Sequence, residues 1–133
     1  MAHRNSIVVA SNRGPVAFSR EPDGTVIARR GVGGLVTAVG GALRGRDAAW
    51  VAAAITDEDR ARATEGALDL DVDGKPVRVR LVALEEKLYD SYYNEFCNRI
   101  LWFLHHYLWD TARTPVFDET TETTWHEFVE ANR

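Results

Sequence analysis

Apolar residues fall into short runs cut by glycine, proline and charge, until a long aromatic stripe takes over after residue 85. Residues 6–11 (SIVVAS) are β-branched and bounded by polar groups, the pattern of a buried strand. Asn12-Arg13-Gly14-Pro15 stops that strand and leaves small and polar groups at the end where open α/β sheets bind ligands. Residues 16–18 and 25–28 flank Asp23-Gly24, which predicts a hairpin with a type I′ turn and positive φ at both central residues. Leu35, Val36, Val39 and Leu43 then recur at helical spacing. Residues 49–54 (AWVAAA) predict a second buried parallel strand, and residues 57–65 (DEDRARATE) a solvated surface helix. Residues 68–84 alternate in part around Asp73-Gly74, which predicts a second hairpin whose VRVRLVAL half suits a third strand.

Residues 85–109 are helical in character, with Tyr89, Tyr93, Phe96, Ile100, Phe103 or Leu104, and Tyr107 as one core-facing stripe. Polar residues 111–124, which include Pro115, predict a loop. Residues 122–132 predict a last amphipathic helix using Trp125, Phe128 and Val129. The pattern is α/β with two hairpin inserts. Three parallel-type strands are few for a finished doubly wound sheet, and a last helix normally leads into another strand. The domain is therefore expected to be incomplete.

Composition narrows this little further. The 133 residues are 45% hydrophobic and 27% charged, enough to bury one core. A net charge of −4 and the lack of a Lys/Arg block argue against a nucleic-acid surface, though local arginines can still hold a phosphate. Cys97 is the one cysteine, cannot close an internal disulfide, and reads as a packed thiol. The N-terminal apolar run is too short for a signal peptide and no span approaches ~20 apolar residues, so a soluble cytoplasmic protein without a membrane partner is expected.

Candidate chemistry starts at Arg29-Arg30-Gly31-Val32-Gly33-Gly34, a glycine-rich loop that opens a helix. Free backbone N–H groups at a positive dipole end accept phosphate, and glycine lets the anion come close. It is neither a Walker motif nor GxGxxG, since Val36 holds the last glycine's place. His105 and His106 point about 100° apart on a helix and cannot ligate one metal from one face, so they read as supporting residues.

SNRGP at 11–15, GVGGL at 31–35 and YYNEFCNRILWFLHHY at 92–107 together resemble the trehalose-6-phosphate synthase family, retaining glycosyltransferases of family 20. The resemblance covers essentially the whole chain in the family's motif order. It implies a GT-B arrangement of two Rossmann-like domains facing across a cleft. Residues 1–133 then form part of the N-terminal, acceptor-side Rossmann-like domain, without the C-terminal nucleotide-sugar domain. The implied reaction moves glucose from a nucleotide diphosphate glucose to glucose 6-phosphate with retention.

By this resemblance Arg13 holds the acceptor phosphate, and Tyr93 and Trp102 are further acceptor-site residues. Gly33 and Gly34 form the loop that touches the donor diphosphate and sugar. No cofactor or metal is implied, and no catalytic residue is assigned. Phe103 stands where the family usually has proline, His105 where it more often has phenylalanine, and Val32 where a small residue is common. A relative with another phosphorylated acceptor, a pseudo-glycosyltransferase, and a non-catalytic sugar-phosphate-binding module stay open as alternatives. So do the donor base and homo-oligomerisation. One geometric demand follows. On a continuous α-helix nine residues at about 100° each put Trp102 opposite Tyr93, so a break or kink near residues 94–98 is expected if both serve one ligand.

Overall fold

The computed structural model describes residues 7–43, 45–72, 74, 76–108 and 114–133. Ser6, Asp73, Trp109 and residues 111–113, which the sequence places in a strand, a turn, a helix end and a loop, lie outside the described residues. The chain forms two compact units, Met1–Ala83 and Leu84–Arg133.

The first unit is α/β. Strands β1 (Ile7–Ser11), β4 (Ala48–Ala53) and β6 (Pro76–Val82) pair in parallel, and β5 (Ala67–Asp71) closes one side antiparallel, in the order β1-β4-β6-β5. The register sets Val9 against Trp50 and Trp50 against Val79, so the central rows of the sheet are apolar. Trp50 and Val79 are fully buried and pack with Ala52, Leu81, Leu43 and Phe18 in one core. Truncating a tryptophan in such a place costs about 3–5 kcal/mol. The second hairpin, β5 with β6, is the one its alternation predicts, and β6 also serves as the third parallel strand.

The first hairpin, β2 (Val16–Arg20) with β3 (Val26–Arg30), is present but its turn is not type I′. Among the described residues the only non-glycine with positive φ is Tyr107, so Asp23 lacks the conformation that turn needs. The Glu21 N–H donates to Thr25 O at 2.8 Å, the Gly24 N–H donates to Glu21 O at 2.9 Å, and Gly24 has φ 89°. Pro22 is the reason: its ring fixes a negative φ and starts a type I turn, which Gly24 completes as a bulge.

Helix α1 (Gly34–Ala42) links β3 to β4, and α2 (Asp57–Ala63) links β4 to β5. The charged α2 is not simply solvated. Asp59 is 2% exposed, and its carboxylate accepts the N–H groups of Phe18 (2.7 Å), Ile55 (3.2 Å) and Thr56 (3.0 Å). Thr56 completes a capping box, and its hydroxyl donates to Phe18 O at 2.8 Å. A carboxylate in that position ties the inserted hairpin to the sheet layer through backbone groups that would otherwise be buried unpaired.

The second unit is helical. It begins with α3 (Glu86–Tyr89), continues without interruption as a π-helix over Asp90–Leu101, and ends in α4 (Trp102–His105). Helix α5 (Glu119–Ala131) packs on it, with Phe96 against Phe128 at 5.1 Å and against Trp125 at 5.5 Å between ring centroids. It starts earlier than the threonine-rich pattern predicts, because Asp118 caps Thr120 N–H while Thr121 Oγ1 accepts from Asp118 N–H. No described helix is long and apolar enough to cross a membrane.

Candidate functional site

In the first unit the two glycine-bearing motifs meet. The loop after β1 is held from β4: Trp50 Nε1 donates to Ser11 Oγ at 2.7 Å, Ser11 Oγ donates to Arg13 O at 2.7 Å, and the Ala53 N–H donates to Asn12 O at 3.1 Å. A buried indole thus fixes the turn that presents Arg13, whose side chain is exposed and in no ion pair among the described residues. The Gly31 N–H donates to Pro15 O at 2.7 Å, and a Cβ on Gly31 would lie 2.6 Å from Gly14 O. Only glycine permits that approach, which joins the glycine loop to the strand end where Arg13 sits.

Helix α1 follows this contact. Its N-cap is Gly33 with φ 133°, no side chain caps it, and its first turn has no acidic residue. A Cβ on Gly33 or Gly34 would meet nothing within 4 Å. The helix therefore opens with backbone donors that no side-chain carboxylate occupies, the geometry that receives an anion. Gly33 and Gly34 are the glycines that the family resemblance implies as ligand contacts, whereas Gly14 and Gly31 of the same two motifs, with Trp50, build the platform. The signal for Trp50 was a lone tryptophan in an alanine-rich strand.

In the second unit the expected break near residues 94–98 is absent. The winding changes instead. The Trp102 N–H donates to Cys97 O, five residues back. A helix closed that way winds about 82° per residue rather than 100°. At that winding nine residues make close to two turns, which would carry Tyr93 and Trp102 toward the same side. The same winding corrects the core stripe. The buried residues are Tyr92, Phe96 and Ile100, four apart, whereas Tyr93 is half-buried and Tyr107 is 76% exposed with φ 56°. Burial, with Tyr89, Cys97 and Tyr93 as lesser causes, pushes the Tyr92 phenol up to about 12. Burial also raises the Cys97 thiol, which suits a packed group rather than a nucleophile.

Trp102 is 46% exposed. Phe103 meets its ring in a T-shape at 5.1 Å and His106 stacks on it at 4.3 Å. A cavity of about 410 Å³ opens beside Asn98, Phe103 and Thr121, and another of about 360 Å³ lies beside Arg30, Gly40 and Trp50. Neither of these two cavities is lined by Arg13, Gly33, Gly34, Tyr93 or Trp102.

Known proteins resemble this chain in sequence and fold. Trehalose-6-phosphate synthase of Mycobacterium ulcerans is 34% identical over 134 residues, covering 97% of this chain and 24% of the relative. That of Mycolicibacterium smegmatis is 35% identical over 130 residues, covering 97% and 23%. The chain thus spans about a quarter of the length of the curated relatives it matches. The E. coli trehalose-6-phosphate structure bound with UDP-2-fluoro glucose superposes with a TM-score of 0.56 at 24% identity, over 96% of this chain and 23% of that one. The alpha,alpha-trehalose-phosphate synthase (UDP-forming) of Burkholderia vietnamiensis gives 0.55 at 22% identity, over 96% and 22%. The fold is the Rossmann-like N-terminal part of a GT-B glycosyltransferase. With the family model for glycosyltransferase family 20 matching residues 5–133, the chain belongs to that family.

Proposed function

We propose that residues 1–133 are the N-terminal, acceptor-side portion of a cytoplasmic glycosyltransferase that moves glucose from a nucleotide diphosphate glucose to glucose 6-phosphate, in trehalose synthesis. The observation that supports this most is the junction of Gly31 with Gly14 and Pro15. It sets an uncapped helix start beside a strand-end arginine with no ion pair among the described residues. In this reading Arg13 grips the acceptor phosphate with a planar, always-charged fork. Tyr93 and Trp102 offer a phenol O–H and an indole N–H to the acceptor. The α1 start, at Gly33 and Gly34, takes the donor diphosphate, and stabilising the charge of that leaving group supplies much of the rate. The uridine donor is favoured by the relative solved with UDP-2-fluoro glucose.

The test is glucosyl transfer by the native polypeptide that contains this sequence. Arg13→Ala is expected to raise the KM for glucose 6-phosphate at least tenfold, as loss of a charged hydrogen-bond pair does, with the donor KM within twofold. An unchanged acceptor KM removes Arg13 from the site. Turnover with cyclitol phosphates in place of glucose 6-phosphate identifies a pseudo-glycosyltransferase instead.

A further inference from the structure

We propose that His106 is a positioning residue that holds the Trp102 indole in place for the sugar phosphate, an inference that rests on the acceptor role of Trp102 above. An exposed tryptophan has two free side-chain torsions, and orienting one for a ligand needs a neighbour that removes that freedom. Here the imidazole of His106 lies nearly parallel to the indole, with 4.3 Å between centroids and 26° between planes. The imidazole is itself fixed. Its Nδ1 lies 2.6 Å from Trp102 O, and the His106 backbone N–H donates to the same oxygen at 3.2 Å. A ring nitrogen facing a carbonyl must carry the hydrogen, so Nδ1 is the donor and the ring plane is set by the backbone of the residue it supports.

The two residues stand four apart where the π-helix gives way to α4. At α spacing, residues four apart are neighbours on one face. The clamp is therefore built by the return to α winding just after Leu101. Phe103 adds a T-shaped contact at 78°, so the indole is braced on two sides and keeps 46% of its surface for a ligand. His105, one position earlier, makes no such ring contact among the described residues.

The experiment uses the native polypeptide that contains this sequence, its near-ultraviolet circular dichroism and its affinity for glucose 6-phosphate. His106→Ala is expected to weaken the indole bands, and to leave the spectrum unchanged when made in a Trp102→Phe background. It is expected to weaken glucose 6-phosphate binding about fivefold, the scale of one aromatic contact, and His106→Phe, which keeps a flat ring, to stay within twofold. Equal spectral change in both backgrounds, or unchanged affinity in His106→Ala while Trp102→Ala weakens binding, overturns the proposal. Unchanged affinity in both alanine variants overturns the acceptor reading of Trp102, and this proposal with it.

Discussion

Gly31 and Gly34 stand in one loop and answer to different demands. Gly31 is glycine because the Gly14 carbonyl leaves no room for a Cβ, which would approach to 2.6 Å. Gly34 has open space and begins a helix, so its lack of a side chain is of use only to something that comes from outside. Gly31→Ala is therefore expected to destabilise the protein by about 1–3 kcal/mol in denaturant titration, as overpacking does. Gly34→Ala is expected to leave stability unchanged or raise it by up to ~1 kcal/mol, since alanine is the better helix former, and to weaken nucleotide-sugar binding. Intact donor affinity in Gly34→Ala would take that residue out of the site. Tyr92 makes a separate residue-scale prediction. Its phenol is held up to about 12, first by burial. Below pH ~10 the phenol is protonated folded or unfolded, and between that and its folded value only the unfolded chain has lost the proton, so stability falls as pH rises through that window. An ultraviolet titration should show one of the four tyrosines ionising near pH 12, and Tyr92→Phe should remove that step.

At the scale of elements the π-helix decides the most. A ring of i, i+4 contacts runs down it, Asn94 to Asp90 at 2.6 Å, Asn98 to Asn94 at 3.5 Å, and Arg99 to Glu95 as an ion pair. Long π segments are rare, so the winding needs direct proof. Through-hydrogen-bond coupling in NMR should link the Trp102 amide to the Cys97 carbonyl. A coupling to the Asn98 carbonyl instead would restore α winding and put Trp102 opposite Tyr93 again. The same element marks where the sequence stops being legible. The strands, both hairpins and the glycine-led helix follow from β-branched runs, Asp-Gly pairs and glycine placement, which act over a few neighbouring residues. The site motifs SNRGP and GVGGL could be read for the same reason. Winding could not, because a stripe at four, three, four spacing is compatible with α, and the face that is buried is set by tertiary packing such as that of Phe96 on Trp125 and Phe128. The burial of Asp59 is hidden in the charged DEDRARATE pattern for a like reason: its partner Phe18 N–H is distant in sequence.

For the whole molecule the question is how much of a glycosyl transfer this chain can perform. Its relatives are about four times as long, and the roles proposed above concern the acceptor phosphate and one loop at the donor diphosphate. Transfer needs more than binding, because the rate comes from holding both substrates in register and stabilising the departing diphosphate, each worth several kcal/mol. Nothing among Arg13, Gly33, Gly34, Tyr93 and Trp102 can recognise a donor base. The expectation is that the native polypeptide carrying this sequence has an intact mass far above 14.9 kDa, and that glucosyl transfer belongs to that longer polypeptide. Mass spectrometry of the protein from its source cell, followed by the transfer assay on that same material, decides it. A native mass of 14.9 kDa with glucose 6-phosphate binding and no turnover would instead make the chain a sugar-phosphate-binding module. In that case Arg13→Ala and Trp102→Ala should still weaken binding, while Gly34→Ala should not, since a module without transfer has no need of the donor loop.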